Sequence, residues 1–426
     1  MTLTPEGYMP RLIDEQMEKY MRTFGAVCVE GPMWCGKTWM ARNHVNSEIN
    51  ISDERLNLAM SAALEEDPRI SFKGESPRLI DEWQLIPRIW DGIRNEVDRS
   101  RESGRFVLSG SSTPLKDRKA HSGAGRIGSL RMHTMSLLES KDSTGEVSLS
   151  GMFDKKEIGS EPVDMTLEDM AYLMIRGGWP YLIGASEETA VLANLDYIDK
   201  TVKNACRLDD ATRRDAGKME MLIKSLGRNE STVASGATIL SDIEEYEDDT
   251  VSEPTMISYT DILKRMFVIE NQPSFASSIR DPDRVGKSPK RRLADPSMAI
   301  AAMRMGPERL LGDPRTYGLM FESLCARDLR IYAETIGGSL FHYRDNNGRE
   351  VDAVVELPDG RWGAFEIKTR SNKTDEAAES LKKVAKYFEN QDWTPPTFLC
   401  VICATAPAAY TRQDGVHVVP ITTLKP

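Results

Sequence analysis

Two short stretches of the chain carry residue types that could do chemistry. The first is Gly31-Pro32-Met33-Trp34-Cys35-Gly36-Lys37-Thr38, which fits G-x-x-x-x-G-K-[ST]. The apolar run FGAVCVE precedes it and the amphipathic run GKTWMARNHV follows, so a strand should enter the loop and a helix leave it. Glycines at these places let backbone N–H groups turn toward phosphate oxygens, and the helix N-terminus adds a favourable dipole. Lys37 can neutralise β- and γ-phosphate charge, and Thr38 offers a hydroxyl to Mg²⁺. ATP and Mg²⁺ are the cofactors expected.

Hydrolysis needs more than a phosphate cradle. The run PRLIDE reads as a strand one βα unit further on, and it ends in Asp81 and Glu82, where parallel α/β sheets hold ligands. Asp81 is expected to hold Mg²⁺ through water, and Glu82 to polarise the attacking water; the plain alternative is an acidic start to a helix. The next strand, RFVLSGSS, ends in small hydroxyl residues, so Ser109 or Ser111 could orient the water, or simply close a turn. Arg126 and Arg131 are the candidates for an arginine finger acting in trans, which would require a homo-oligomer; Arg126, after the glycine-rich SGAG, is preferred.

The second stretch is GREVDAVVELPDGRWGAFEIK, Gly348 to Lys368, two strands around a tight turn. If the strands run symmetrically from Asp359, Asp352 faces Glu366 on one side of the sheet and Lys368 shares that side. Val351, Ala353, Val355, Phe365 and Ile367 form the apolar reverse. Carboxylates opposed at about 5 Å repel unless something positive lies between them, and Mg²⁺ is the obvious candidate. Lys368 would then orient or deprotonate water, and Glu322, on a preceding helix, is a further candidate ligand. The competing reading is a half-exposed strand pair with ordinary outward charges. Asp-x₁₃-Glu-x-Lys after a Glu-bearing helix resembles the PD-(D/E)xK nuclease superfamily, with Val351 in place of its proline.

The elements that must position these residues follow from patterning. At 426 residues the chain should divide into several domains. From Phe24 to about Ser140, strands and helices alternate, as in a parallel sheet covered on both faces. SLRMHTMSL reads as its fifth strand, and LNLAMSAALEE and IWDGIRNEVDRSR as helices. Residues 141–164 read as a loop. MEMLIKSLGRN, TVASGATILSDI and SYTDILKRMFVI then form a winged-helix-like trio, with MFVIENQPSF as the wing and the acidic block EEYEDD as an exposed loop. The last unit joins a long helix, the charged hairpin, another helix and two apolar strands. The expected domains are 1–145 (P-loop), 146–215 (loop and helical lid), 216–305 (winged-helix-like) and 306–426 (α/β).

Composition narrows the possibilities. A hydrophobic fraction of 40%, without an apolar run of the ~18–20 residues that span a bilayer, points to a cytoplasmic protein with no membrane partner. A net charge of −11 argues against nonspecific coating of nucleic acid. The basic run RVGKSPKRR, Arg284 to Arg292, reads as a solvated linker in preference to a phosphate-contacting arm. Six cysteines do not make a disulfide scaffold, and Cys400 and Cys403 read as small hydrophobes in a buried strand.

YMPRLIDEQMEKYMRTFGAVCVEGPMWCGKTW, PRLIDEWQLIPRIWDGIRNEVD, FVLSGSSTP, GAGRI and RGGWP, in this order, resemble a widespread prokaryotic family of AAA+-type P-loop ATPases fused to a C-terminal domain of unknown function. The resemblance implies an ATPase core, a helical and winged-helix middle and a restriction-endonuclease-like C-terminal domain. It makes DNA or RNA the expected partner. The alternative is a nucleotide-dependent switch whose nuclease-like domain is inactive.

Overall fold

The computed structural model describes residues 2–53, 58–113, 122–208, 214–247, 249–276 and 288–426. Two compact units emerge, Met1–Thr134 with Leu263–Val268, and Met135–Ile262 with Ile269–Pro426.

The first unit is built on a five-stranded parallel sheet of β1 (Ala26–Glu30), β2 (Ser47–Asn50), β3 (Arg78–Asp81), β4 (Phe106–Gly110) and β5 (Ile127–Arg131), in the order β2-β3-β4-β1-β5. The fifth strand starts two residues before the expected SLRMHTMSL. Alternation along β1 feeds two cores. Ala26 and Cys28 pack with Ile89, Trp90, Ile93 and Val97 of α4 (Arg88–Ser100) and with Leu64 of α3 (Leu58–Glu66). Val27 and Val29 turn the other way, to Met17 of α1 (Ile13–Thr23) and Met40 and Ala41 of α2 (Lys37–Arg42). Each such side chain is worth about 1.5–3 kcal/mol when fully buried. Leu56 and Asn57, the expected start of α3, lie outside the described residues.

The second unit contains α5 (Leu149–Phe153), α6 (Leu167–Arg176), α7 (Glu187–Arg207), α8 (Ala216–Arg228), α9 (Gly236–Tyr246), α10 (Glu253–Arg265) as far as Ile262, α11 (Pro296–Ala302), α12 (Pro307–Leu311), α13 (Pro314–Thr335) and α14 (Thr374–Asn390). Residues 135–145, expected with the P-loop domain, belong here. The stretch 141–164, expected as a loop, holds α5 and the short β6 (Val147–Ser148), which pairs in parallel with β13 (Leu424–Lys425) near the end of the chain.

The RGGWP break between α6 and α7 has a steric cause. Gly177 adopts φ 68°, and a Cβ on Gly178 would come within 2.2 Å of the Met135 carbonyl oxygen. The Gly178 N–H donates to Asp295, which also pairs with Arg327 at 3.1 Å; Arg327 reaches Asp328 at 2.7 Å, and Asp328 accepts from the Leu137 N–H. All three charged side chains are buried.

Beyond α13, the strands β7 (Ser339–Arg344), β8 (Glu350–Glu356), β9 (Trp362–Lys368), β10 (Phe398–Cys403), β11 (Tyr410–Thr411) and β12 (His417–Pro420) make a mixed sheet ordered β11-β12-β10-β9-β8-β7. β7, β8 and β9 are antiparallel neighbours, and β10 runs parallel to β9 and β12. Ala377, Ala378, Leu381, Val384 and Phe388 line the buried face of α14 at helical spacing. Cys400 and Cys403 are buried free thiols on β10.

Three expectations for the middle of the chain change. MFVIENQPSF does not pair with itself as a wing. Ile269 and Gln272 bridge Leu293 and Lys290 in antiparallel fashion, while Ser274 bridges His342 of β7. The edge of β7 offers unpaired backbone groups, and this segment covers them. The acidic block is no free loop: Glu244 to Tyr246 end α9, and Glu247 pairs with Arg228 at 2.8 Å and Lys224 at 3.6 Å, a gain in neutralised charge over an unpaired loop. Its Asp248 lies outside the described residues. In the basic run, Arg284 to Lys287 likewise lie outside the described residues, whereas Lys290 and Arg292 are buried. No helix among the described residues is long and apolar enough to cross a membrane.

The ring of Phe388 is 1% exposed, with Trp362, Tyr343 and Trp393 centred 5.0, 5.3 and 5.4 Å away. Phe388→Ala is expected to destabilise the second unit by about 3–5 kcal/mol, measured by urea denaturation followed through tryptophan fluorescence. A change below 1 kcal/mol would mean that these rings do not hold the sheet to α14.

Candidate functional site

The P-loop leaves the C-terminal end of β1 and enters α2, as the spacing requires. Gly31 passes so close to the end of β5 that a Cβ would sit 2.2 Å from the Met132 carbonyl oxygen. Trp34 and Gly36 take φ of 65° and 100°. Arg11, which sequence reasoning missed, ties the loop down: its guanidinium donates to the carbonyl oxygens of Cys35 at 2.8 Å and His133 at 3.0 Å. Its place in the MPRLID run was the available signal. Lys37 lies within the loop and donates to the Gly31 and Pro32 oxygens at 2.9 and 2.8 Å. α2 ends at Arg42, short of the expected Val45, so its macrodipole is that of less than two turns and the loop N–H groups matter more.

β3 runs two strands from β1, with β4 between them, and its end brings the acidic pair to the loop. Thr38 donates its hydroxyl to both oxygens of Asp81, at 3.2 and 3.0 Å. A hydroxyl beside a carboxylate is a hard-oxygen donor set that fits Mg²⁺. Burial, then the Glu82 carboxylate, pushes the Asp81 pKa up; Ser109, Thr38 and Lys37 work against the rise. A bound cation would counter the same destabilisation.

Glu82 adopts φ 55°. Its Oε2 accepts from the Ser111 hydroxyl at 3.1 Å and from the Gln84 amide. The two candidate serines therefore separate: Ser109 is the strand neighbour of Asp81 in parallel register, and Ser111 donates to Glu82. Gln84 is a second residue that sequence reasoning missed, and no spacing rule marks it.

The arginines also separate. Parallel pairing sets Ile127 beside Ala26 and Arg131 beside Glu30, so Arg126 lies at the end of the sheet remote from its own P-loop and Arg131 at the near end. Arg126 pairs with Asp98 at 2.8 Å, and the Arg131 guanidinium lies 3.9 Å from the centre of the Phe267 ring. Arg126 thus does not reach the P-loop of its own chain.

In the second unit, β8 and β9 pair Ala353 with Phe365, Val354 with Ala364, Val355 with Gly363 and Glu356 with Trp362, the symmetric register about Asp359. One step further along this register, Asp352 faces Glu366. The competing reading of a half-exposed strand pair gives way, because both strands are interior to the sheet and Glu366 is 6% exposed. Lys368 donates to Glu366 at 2.7 Å and lies 3.9 Å from Asp352. Burial, then Asp352, pushes the Glu366 pKa up to about 8. Burial would also raise Asp352, but Lys290 and Lys368 hold it below the ordinary carboxylate value.

Glu322, Asp352 and Glu366 do not surround a place for Mg²⁺. The Lys290 ammonium stands between the first two, 3.0 Å from Glu322 and 3.2 Å from each of Asp352 and Glu350. Arg292 takes the same Glu322 oxygen at 2.7 Å. Glu366 is turned to Lys368 instead. Among the described residues no group of three or more His, Cys, Asp or Glu side chains is arranged to hold a metal ion. The expected ligand set is corrected on this point: repulsion between buried carboxylates is relieved by amino acids of the chain itself. The alternation of Lys290 and Arg292 around Arg291 was a strand-like signal that the linker reading passed over.

Residues 23–141 match the family model described as AAA domain. Residues 167–309 and 317–424 match two domains of unknown function, DUF8612 and DUF4143. The uncharacterized proteins Rv2008c of Mycobacterium tuberculosis and Mb2031c of Mycobacterium bovis are each 25% identical over 353 residues, covering 81% of this chain and 70% of theirs. Solved structures that align include the Walker-type ATPase PABY2304 of Pyrococcus abyssi, at 12% identity and TM-score 0.45 over 71% of this chain and 97% of that one. Another is AMPPCP-bound DnaA from Aquifex aeolicus, at 15% identity and TM-score 0.29 over 59% and 86%. The family match and the loop geometry agree: the N-terminal region is an AAA-type P-loop domain with a nucleotide-phosphate loop.

Gly31→Ala is expected to weaken binding of a fluorescent ATP analogue at least about tenfold, a loss of ~1.4 kcal/mol, because the loop cannot keep its place beside Met132. Unchanged affinity would show that this close approach does not shape the phosphate site.

Proposed function

We propose that this protein is an Mg²⁺-dependent, ATP-hydrolysing AAA-type ATPase whose C-terminal domain has a restriction-endonuclease-like fold. The observation that carries the first part is the meeting of Thr38 with Asp81 beside the P-loop, while Glu82 is held by Ser111 and Gln84. Thr38 and Asp81 would hold the cation, which supplies charge neutralisation to the phosphates. Lys37 binds phosphate oxygens, and Glu82, aligned by its two donors, takes a proton from water. Arg126 is proposed to act on a neighbouring copy of the chain.

For the C-terminal domain, the succession of α13, the antiparallel β7-β8-β9, α14 and the parallel β10 supports the nuclease-like reading, as do Asp352, Glu366 and Lys368 on adjacent strands. DNA or RNA is then the proposed partner. The seat of Lys290 favours a second reading, a nucleotide-dependent switch that binds its partner without cutting it.

Glu82→Gln should retain ATP and hydrolyse it about 10²–10⁴-fold more slowly, while Lys37→Ala should abolish turnover. Phosphate release measured on purified protein decides, and full turnover in either variant removes that residue from its role. Retention of single- and double-stranded DNA and RNA on filters, with and without ATP and Mg²⁺, tests the partner. Products that vanish in Lys368→Ala would favour cutting, and binding without products would favour the switch.

A further inference from the structure

We propose that Lys290 is a built-in replacement for a divalent cation in the acidic cluster of the C-terminal domain, so that the protein binds no metal there. The inference rests on the nuclease-like reading of this domain and deepens it. Lys290 Nζ lies 3.0–3.2 Å from one oxygen each of Glu322, Glu350 and Asp352, a three-carboxylate grip on a single positive centre. Its side chain is 2% exposed, and Glu322 and Asp352 are 13% and 14% exposed.

Two features make the seat permanent. The Lys290 backbone exchanges both hydrogen bonds with Gln272, at 2.9 and 3.0 Å, within a ladder that covers β7. Gln272 in turn donates its side-chain amide to the carbonyl oxygens of Phe341 at 2.7 Å and Asp352 at 3.0 Å. Next along the strand, Arg292 is buried against Glu322, Gln272 and Ser231, and the Leu293 N–H donates to Glu230. The remaining oxygen of Asp352 is taken by the Ile367 N–H at 3.0 Å. A divalent ion would have to expel a charged lysine whose backbone is held by Gln272, and would meet Arg292 beside it. Like charges cannot share so small a buried site. The lone ammonium, unlike Mg²⁺, carries no bound water to activate.

The test is Mn²⁺ binding to the nucleotide-free full chain, followed by electron paramagnetic resonance, in wild type, Asp352→Asn, Lys290→Ala, Lys290→Met and Lys290→Ala/Asp352→Asn. Wild type should show no Mn²⁺ that depends on Asp352. Lys290→Ala or the similarly long Lys290→Met should gain one Mn²⁺ per chain, at least about tenfold tighter than any wild-type binding, and the double variant should lose it. Urea denaturation followed through tryptophan fluorescence reports whether the second unit of each variant is folded, since the ATP site belongs to the first unit; should Lys290→Ala and Lys290→Met both fail to fold, wild type against Asp352→Asn decides alone. Wild-type Mn²⁺ lost in Asp352→Asn overturns the replacement and leaves the nuclease-like reading standing. Absence of Mn²⁺ from wild type and from folded Lys290 variants alike overturns both.

Discussion

A charge taken out of water must meet its opposite, and the second unit is organised by that requirement. Arg327, at 6% exposure, is held by Asp295 and Asp328, and those acids in turn accept from the Gly178 and Leu137 backbones. Lys290 and Arg292 are answered by Glu322, Glu350 and Asp352. Such networks contribute little net stability compared with apolar replacements, but breaking one partner strands the rest, commonly at about 3–5 kcal/mol. They therefore define which segments belong together: residues near 137, 178 and 295 meet on α13, and the 269–293 ladder meets β7 and β8.

The first unit obeys a different constraint. A parallel sheet puts the C-terminal ends of its strands on one edge, and order β2-β3-β4-β1-β5 sets the ends of β1, β3 and β4 close together. The P-loop, Asp81 with Glu82, and Ser109 with Ser111 all sit there for that reason. The same geometry sends Arg126 to the opposite edge, since it precedes β5, whereas Arg131 ends it. A position before or after a strand thus decides more about an arginine than the flexibility of the loop beside it.

Periodicity was a good guide wherever one element could express it alone. The strands of the first sheet, the long α13 and α14, and the register about Asp359 were all legible, because side-chain alternation and helical spacing are local properties. It failed where the partner is remote in sequence. MFVIENQPSF reads as a wing until the free edge of β7 is known, and residues 141–164 read as a loop until β13 pairs with β6. The family models divide the chain at 23–141, 167–309 and 317–424, with no division at the expected 215/216 boundary, while the compact units join the last two regions.

By itself, the sequence determined the phosphate loop, its companion acids and the opposition of Asp352 to Glu366, because each depends on spacing within one or two neighbouring elements. Only the tertiary structure decided that Arg11 clamps the loop, that Glu82 answers to Ser111 and Gln84, and that Lys290 stands between Glu322 and Asp352. Arg11 and Cys35 are 24 residues apart, Glu82 and Ser111 29, and Lys290 and Asp352 62; Gln84 alone is close to its partner in sequence, and it owes its place to the same site. The energy that joins them comes from desolvated charge and closed hydrogen bonds, which exist only after the chain has folded and leave no period in the sequence.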